Sequence, residues 1–272
     1  MHTGIHFISG LPRSGSTLLA AILLQNPRFH AGMTSPVGAM YQALEQSMSR
    51  RIDTAVFIRP EQRHEVLSGL FTNYYSDLHN TRVVFDTNRL WCAKLPALTR
   101  LFPESKIICC VRDVSWIMDS IERLVRQNAF EPSGMFGFAS GGTVFSRIGA
   151  LASSEGMVGY ALNALKDGFF GEQAGSTILV EYNALVSEPI RSMQSIYEFI
   201  GEPWFAHDFD NVEYSADAYD LAFGAPGLHT IRRKVEFTSR ESVLPPELFQ
   251  RFANDTFWRH TDNNPREVKI IS

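Results

Sequence analysis

Cysteine is scarce. Among 272 residues there are three, Cys92, Cys109 and Cys110, which excludes a disulfide framework and fits a reducing compartment. Cys109 and Cys110 are adjacent in an apolar run that reads as a buried strand, so they point to opposite faces and cannot easily pair with each other. Neither Cys nor His recurs at metal-ligand spacing, so no metal is expected. No apolar run is long enough to cross a bilayer. The opening Met1-His2-Thr3-Gly4 lacks the charged and apolar regions of a secretion signal, so a cytoplasmic protein is expected. Positive charge is not in surplus either. A net charge of −4 argues against general binding to nucleic acid or to an anionic membrane, and any basic site must be local. There is no repeat and no low-complexity segment. What remains is the composition of an ordinary soluble globule, 44% hydrophobic and 20% charged. Its length suits one α/β domain over 1–272, with helical or loop insertions at 36–80 and 128–175.

One stretch organises the rest: Phe7-Ile8-Ser9-Gly10-Leu11-Pro12-Arg13-Ser14-Gly15-Ser16-Thr17. The uncharged run 5–8 suits a strand buried in a parallel sheet. Gly10 and Gly15 bracket a turn and let backbone approach a ligand. An apolar helix is expected over 17–25. A helix N-terminus behind such a loop attracts anions, because unpaired N–H groups and aligned peptide dipoles point at the ligand. The spacing nearly matches a nucleotide-binding P-loop, but Ser16 stands where that motif has its Lys. A triphosphate enzyme needs that Lys together with magnesium. Without it the loop can still cradle a terminal phosphate or phosphosulfate, with Arg13 supplying a planar fork of donors.

Apolar runs alternate with helical patterns along the chain. Helices are expected over 36–51 and 60–78, a turn at Asn80-Thr81, and a strand over 83–86 ending in Asp86. A helix near 94–102 is kinked at Pro96, a strand spans 106–111 and a helix 115–127. The stretch 128–146 has no period and reads as a loop that either gates an acceptor site or lies on the surface. Beyond it come a helix over 155–170, a strand over 177–182, a helix from 188 or 189 to 200, an irregular segment 202–227 and a helix over 245–257. This alternation implies parallel βαβ units and a three-layer α/β/α fold around a mainly parallel sheet. Ligands then sit beyond the carboxyl ends of the strands, which puts the phosphate loop, Asp86, Arg112 and Tyr182 on one rim.

Two motifs give a resemblance. Pro12-Arg13-Ser14-Gly15-Ser16-Thr17 and Val111-Arg112-Asp113, with Ser120 eight residues after Arg112, resemble the paired phosphate motifs of sulfotransferases that use 3′-phosphoadenosine 5′-phosphosulfate (PAPS). Leu101-Phe102-Pro103-x-x-Lys106 and Glu181-Tyr182-Asn183-Ala184-Leu185 are similar to the protein-tyrosine branch of that family. The resemblance implies a P-loop-like fold and PAPS as donor, leaving as 3′,5′-bisphosphoadenosine with no metal. It implies that Arg13, Ser14, Gly15, Ser16 and Thr17 hold the 5′-phosphosulfate. Arg112 and Ser120 then hold the 3′-phosphate, Tyr182 meets the adenine, and Arg232, Arg233 or Lys234 contribute from a lid. Arg13 also steadies charge on the leaving group. The acceptor is a hydroxyl on a small molecule or peptide: a tyrosine or phenol, a sugar or a small metabolite. A homodimer stays open.

The sequence departs from that branch in two places. The catalytic Glu expected two dozen residues past the loop falls near Met33 to Ser35, where there is no carboxylate. His30 and Asp86 are the remaining candidates for the catalytic base. His30 otherwise reads as an exposed loop residue and Asp86 as a helix cap. The Lys expected after the second strand is replaced by Thr87 or Asn88, with Arg89 and Lys94 nearby. Two other functions share these features: a nucleotide kinase or NTPase, and a non-catalytic module that binds adenosine bisphosphate.

Overall fold

The structure is a computed structural model that describes residues 4–79, 82–131, 133–137, 142–260, 262 and 264–272. The turn expected at Asn80 and Thr81 lies outside them, as do positions 132 and 138–141 of the aperiodic stretch.

Among the described residues six strands form one sheet: β1 (Ile5–Gly10), β2 (Phe29–Ala31), β3 (Val83–Thr87), β4 (Ile107–Val111), β5 (Thr177–Glu181) and β6 (Lys269–Ile271). Their order is β2-β3-β1-β4-β5-β6 and every neighbouring pair is parallel. Parallel strands need crossovers, so helices cover both faces. Alternation along the strands divides the core in two. Phe7, Val84, Ile107, Cys109 and Leu179 pack on one face with the helices Leu90–Ala93, Val114–Gln127 and Met157–Phe170. Ile8, Phe85, Ile108, Cys110, Ile178 and Val180 pack on the other with Ser16–Leu24 and Pro189–Ile200. The expected three-layer α/β/α architecture is present.

The chain after β1 runs out to β2 and β3 on one side, then returns past β1 to β4 on the other. The order therefore reverses between β1 and β4, the crevice where open α/β sheets bind ligands. The loops leaving β1 and β4 carry the two phosphate motifs.

Several expected elements are subdivided. The helix read over 60–78 breaks at Tyr75 into Pro60–Tyr74 and Ser76–His79. The break expected at Pro96 falls at Lys94, since proline is tolerated in a helix's first turn: Leu90–Ala93 ends there and Leu95–Leu101 begins. The irregular segment contains the short helix Asp217–Ala222, and the stretch 128–146 runs into the helix Val144–Ala152. Among the described residues no helix is long and apolar enough to cross a membrane.

Candidate active site

The loop after β1 is held by strain and by its neighbours. Gly10 has φ 101°, and a Cβ there would lie 2.2 Å from the Cys110 carbonyl oxygen. Gly15, φ 98°, caps the helix Ser16–Leu24, and a Cβ on it would lie 2.9 Å from the Tyr182 ring. Ser14 is fully buried; its one hydroxyl hydrogen is shared between the carbonyls of Leu11 (2.5 Å) and Cys110 (2.9 Å), which ties the loop to β4. Arg13 is one of two non-glycine described residues with positive φ, at 55°. That uncommon backbone turns its side chain across the crevice.

There Arg13 Nε donates to Ser120 Oγ at 3.1 Å, and its guanidinium also donates to the Leu228 carbonyl. Arg112 donates to the Arg13 carbonyl at 3.4 Å and stacks over the Tyr182 ring with Cζ 4.2 Å from the centroid. Its Nε is buried without a hydrogen-bond partner among the described residues. The two phosphate motifs thus touch each other. They line a single cavity of about 330 Å³, shared by Gly15, Ser16, Thr17, Ser120 and Tyr182.

Guanidinium charge crowds this cavity. Burial first, then Arg112 and Arg240, lower the pKa of Arg13 to about 10. Burial also lowers Arg112, Arg240 and Arg89. Arg240 is paired with Asp119 at 2.6 Å. The Arg89 side chain, on the wall just past β3, makes no hydrogen bond or ion pair with any described residue. Cations held together at this cost suit an anionic ligand.

The other sequence candidates divide. Arg232 and Lys234 line the cavity, whereas Arg233 does not and pairs with Glu213. Lys94 is also off the wall, paired with Glu45 at 2.6 Å. Met33 and Thr34, where the family's Glu was sought, are on the wall, as are Thr87 and Asn88. Neither candidate base is brought to the cavity. Asp86 is fully buried, and its oxygens accept from Tyr75 (2.5 Å), Ser35 (2.6 Å) and Trp91 Nε1 (2.8 Å). Burial raises its pKa against those three hydrogen bonds. His30 sits on β2, its ring 5.8 Å from that of Tyr75, with its pKa lowered by burial.

A model of the sulfotransferase family matches residues 6–206. The chain belongs to the sulfotransferase family. Solved structures similar to this sulfotransferase include the sulfotransferase domain from the curacin biosynthetic pathway, at 15% identity and TM-score 0.59, covering 92% of this chain and 96% of that one. A second is the sulfotransferase domain from the Synechococcus PCC 7002 olefin synthase, at 17% identity and TM-score 0.49, covering 92% and 93%. A third is a sulfotransferase from Alicyclobacillus acidocaldarius, at 15% and 0.48, covering 80% and 88%. The first of these shares the fold of this chain.

Sequence reading of this sulfotransferase missed Arg240 and the pair formed by Asp220 and His229. Asp220 lies on the short helix Asp217–Ala222, and His229 and Arg240 lie beyond it, where no periodicity marks a site. Arg89 was noted only as a nearby basic residue; its position one turn past a strand tip was the available signal.

Proposed function

We propose that the protein transfers the sulfuryl group of PAPS to an acceptor hydroxyl. The observation that carries this reading is the contact between the motifs: Arg13 reaches Ser120 while Arg112 reaches the Arg13 carbonyl, inside one cavity. A ligand with phosphates at two ends of one adenosine suits two anion cradles set side by side. The cavity also fits such a group by what it leaves without a partner among the described residues, namely the buried Arg112 Nε and the Arg89 side chain. Bound there, the donor supplies an activated sulfuryl group on a bridging oxygen that becomes the leaving group.

In this reading the amides of Ser16 and Thr17, which lack intrahelical partners, and the Arg13 side chain hold the 5′-phosphosulfate. Arg112 and Ser120 hold the 3′-phosphate, with bidentate geometry open to the guanidinium. Tyr182, already stacked on Arg112, lies against the base. Arg232, Lys234 and Arg240 close over the nucleotide from the C-terminal side. Arg89, which lines the cavity just past β3, would supply the charge that the family's Lys supplies. Fixed cations aimed at developing negative charge are worth more in such a site than in water. The acceptor is a hydroxyl on a phenol, sugar, peptide or small metabolite.

Calorimetry with 3′,5′-bisphosphoadenosine and with ADP tests the donor assignment. The bisphosphate is expected to bind about tenfold or more tightly than ADP, a difference of about 1.4 kcal/mol or more. Arg112→Ala should erase that preference while ADP affinity changes little. ADP binding as tightly as the bisphosphate in the wild type would favour a nucleotide kinase. Tight bisphosphate binding without transfer to any acceptor would favour a binding module.

A further inference from the structure

Sulfuryl transfer to a hydroxyl needs a group to take the hydroxyl proton, and neither Asp86 nor His30 lines the cavity. The wall of the cavity holds another. His229 lines it, with 17% of its side chain exposed. Its Nδ1 lies 2.5 Å from Asp220 Oδ1, and its backbone N–H donates to Asp220 Oδ2 at 2.8 Å. Asp220 is 1% exposed. A carboxylate only accepts, so Nδ1 carries the proton and Nε2 keeps its lone pair. Nε2 has no partner among the described residues.

The same segment fixes this pair against the phosphate loop. Arg13 donates to the carbonyl of Leu228, the residue just before His229. Arg13 and Arg89 are close enough to bear on the His229 charge. The ring of Tyr219 stands 5.5 Å from His229 and stacks with Phe223 at 5.9 Å. Met135 and Met157 line the same cavity.

We propose that His229 is the general base of this enzyme, with Asp220 as the residue that sets its tautomer and orientation. The inference rests on the sulfotransferase reading above. His229 Nε2 takes the acceptor's hydroxyl proton as the acceptor oxygen bonds to sulfur. The bond from sulfur to the bridging oxygen breaks, and its electron pair leaves with the bisphosphate. The imidazolium then returns its proton to water. Burial, the largest influence, lowers the His229 pKa; Asp220 raises it, and Arg13 and Arg89 lower it. The ring is therefore neutral at pH 7. The groups facing it are Asp220 and Tyr219 from the helix Asp217–Ala222, Arg13 from the phosphate loop and Arg89 past β3. The aromatic wall beside the base makes 2-naphthol a suitable probe acceptor.

The test has two arms. In the first, transfer from labelled PAPS to 2-naphthol is followed in wild type, His229→Ala and Asp220→Asn. His229→Ala should lose about 100-fold in kcat, recover with added imidazole, and keep bisphosphoadenosine affinity within about threefold, which shows that it folds. The wild-type rate should fall as pH drops through a His229 pKa below 6.5, and Asp220→Asn, lacking the carboxylate that raises it, should move that limb to lower pH. In the second arm, which needs no acceptor, histidine ¹⁵N spectra assigned with His229→Gln should show a neutral Nδ1–H ring at pH 7. Its pKa should rise when 3′,5′-bisphosphoadenosine binds. Full transfer by His229→Ala, a loss without imidazole rescue, a ring protonated on Nε2, or one indifferent to the bisphosphate overturns the proposal. Failure of the wild type to bind bisphosphoadenosine instead overturns the donor reading.

Discussion

Gly15 shows how one missing side chain shapes the site. Its φ of 98° is a conformation that L side chains rarely adopt, and its Cα faces the Tyr182 ring at a distance that excludes a methyl group. Gly15→Ala is expected to cost about 1–2 kcal/mol of stability from the backbone alone. It should also lower bisphosphoadenosine affinity by about tenfold or more, because the Tyr182–Arg112 stack must shift. Urea unfolding and calorimetry read these separately; unchanged affinity would separate Tyr182 from the donor. The phosphate loop was legible because its chemistry is local, with glycines, Arg13 and helix start in one short run. Asp86 misled for a geometric reason. Side chains alternate along β3, so Asp86 shares a face with Val84 beneath Tyr75 and Trp91, while the cavity lies past the strand tip. His229 was illegible because its partner lies on a six-residue helix too short for any period to announce.

Strands β1, β3, β4 and β5 could be read because each is buried on both faces and so is almost continuously apolar. Strands β2 and β6, three residues each at the sheet edges, are too short for any pattern to emerge. Within β1, His6 breaks the apolar run and couples the β1–β4 pair to pH. His6 is 6% exposed, and its ring packs 5.5 Å from Phe85 and accepts the Lys106 backbone N–H on Nδ1 at 3.1 Å. Burial, then the Lys106 charge, lowers its pKa from 6.5 to about 4. The unfolded chain therefore binds a proton that the folded one refuses. Stability from this site is complete above pH 6.5 and is lost as pH falls towards 4, by roughly 3 kcal/mol at about 1.4 kcal/mol per pH unit. His6→Asn offers Lys106 an acceptor that does not titrate. Urea midpoints of this variant should fall less steeply than wild type between pH 6.5 and 4. Some slope should remain, because His207 is lowered to about 4 as well. An identical slope would remove His6 from the account.

Residues distant in sequence hold the ends of β4 and β5 together beside the cavity. Arg259, near the C-terminus, donates to both oxygens of Glu181, at 2.7 and 3.1 Å, and to both oxygens of Asp113, at 2.6 and 3.2 Å. Trp258 Nε1 adds a third bond to Glu181 at 2.7 Å. Glu181 directly precedes Tyr182, and Asp113 directly follows Arg112. One guanidinium therefore clamps the ends of β4 and β5 and sets the spacing of the two groups proposed to hold adenine and 3′-phosphate. The hydrogen bonds to Glu181 raise the Arg259 pKa above its usual value, as a fully committed cation requires. Nothing local in the sequence marks this residue, since its role exists only after the sheet has formed. Arg259→Ala strands a nearly buried Glu181 carboxylate and is expected to cost on the order of 2 kcal/mol, discounted for the partial exposure of the pair. Arg259→Lys should recover only part of this, because an ammonium cannot fork across two carboxylates. Both variants should bind bisphosphoadenosine more weakly than wild type under conditions where each is fully folded. Wild-type affinity in a folded Arg259→Ala would mean that Arg112 and Tyr182 hold their places without the clamp.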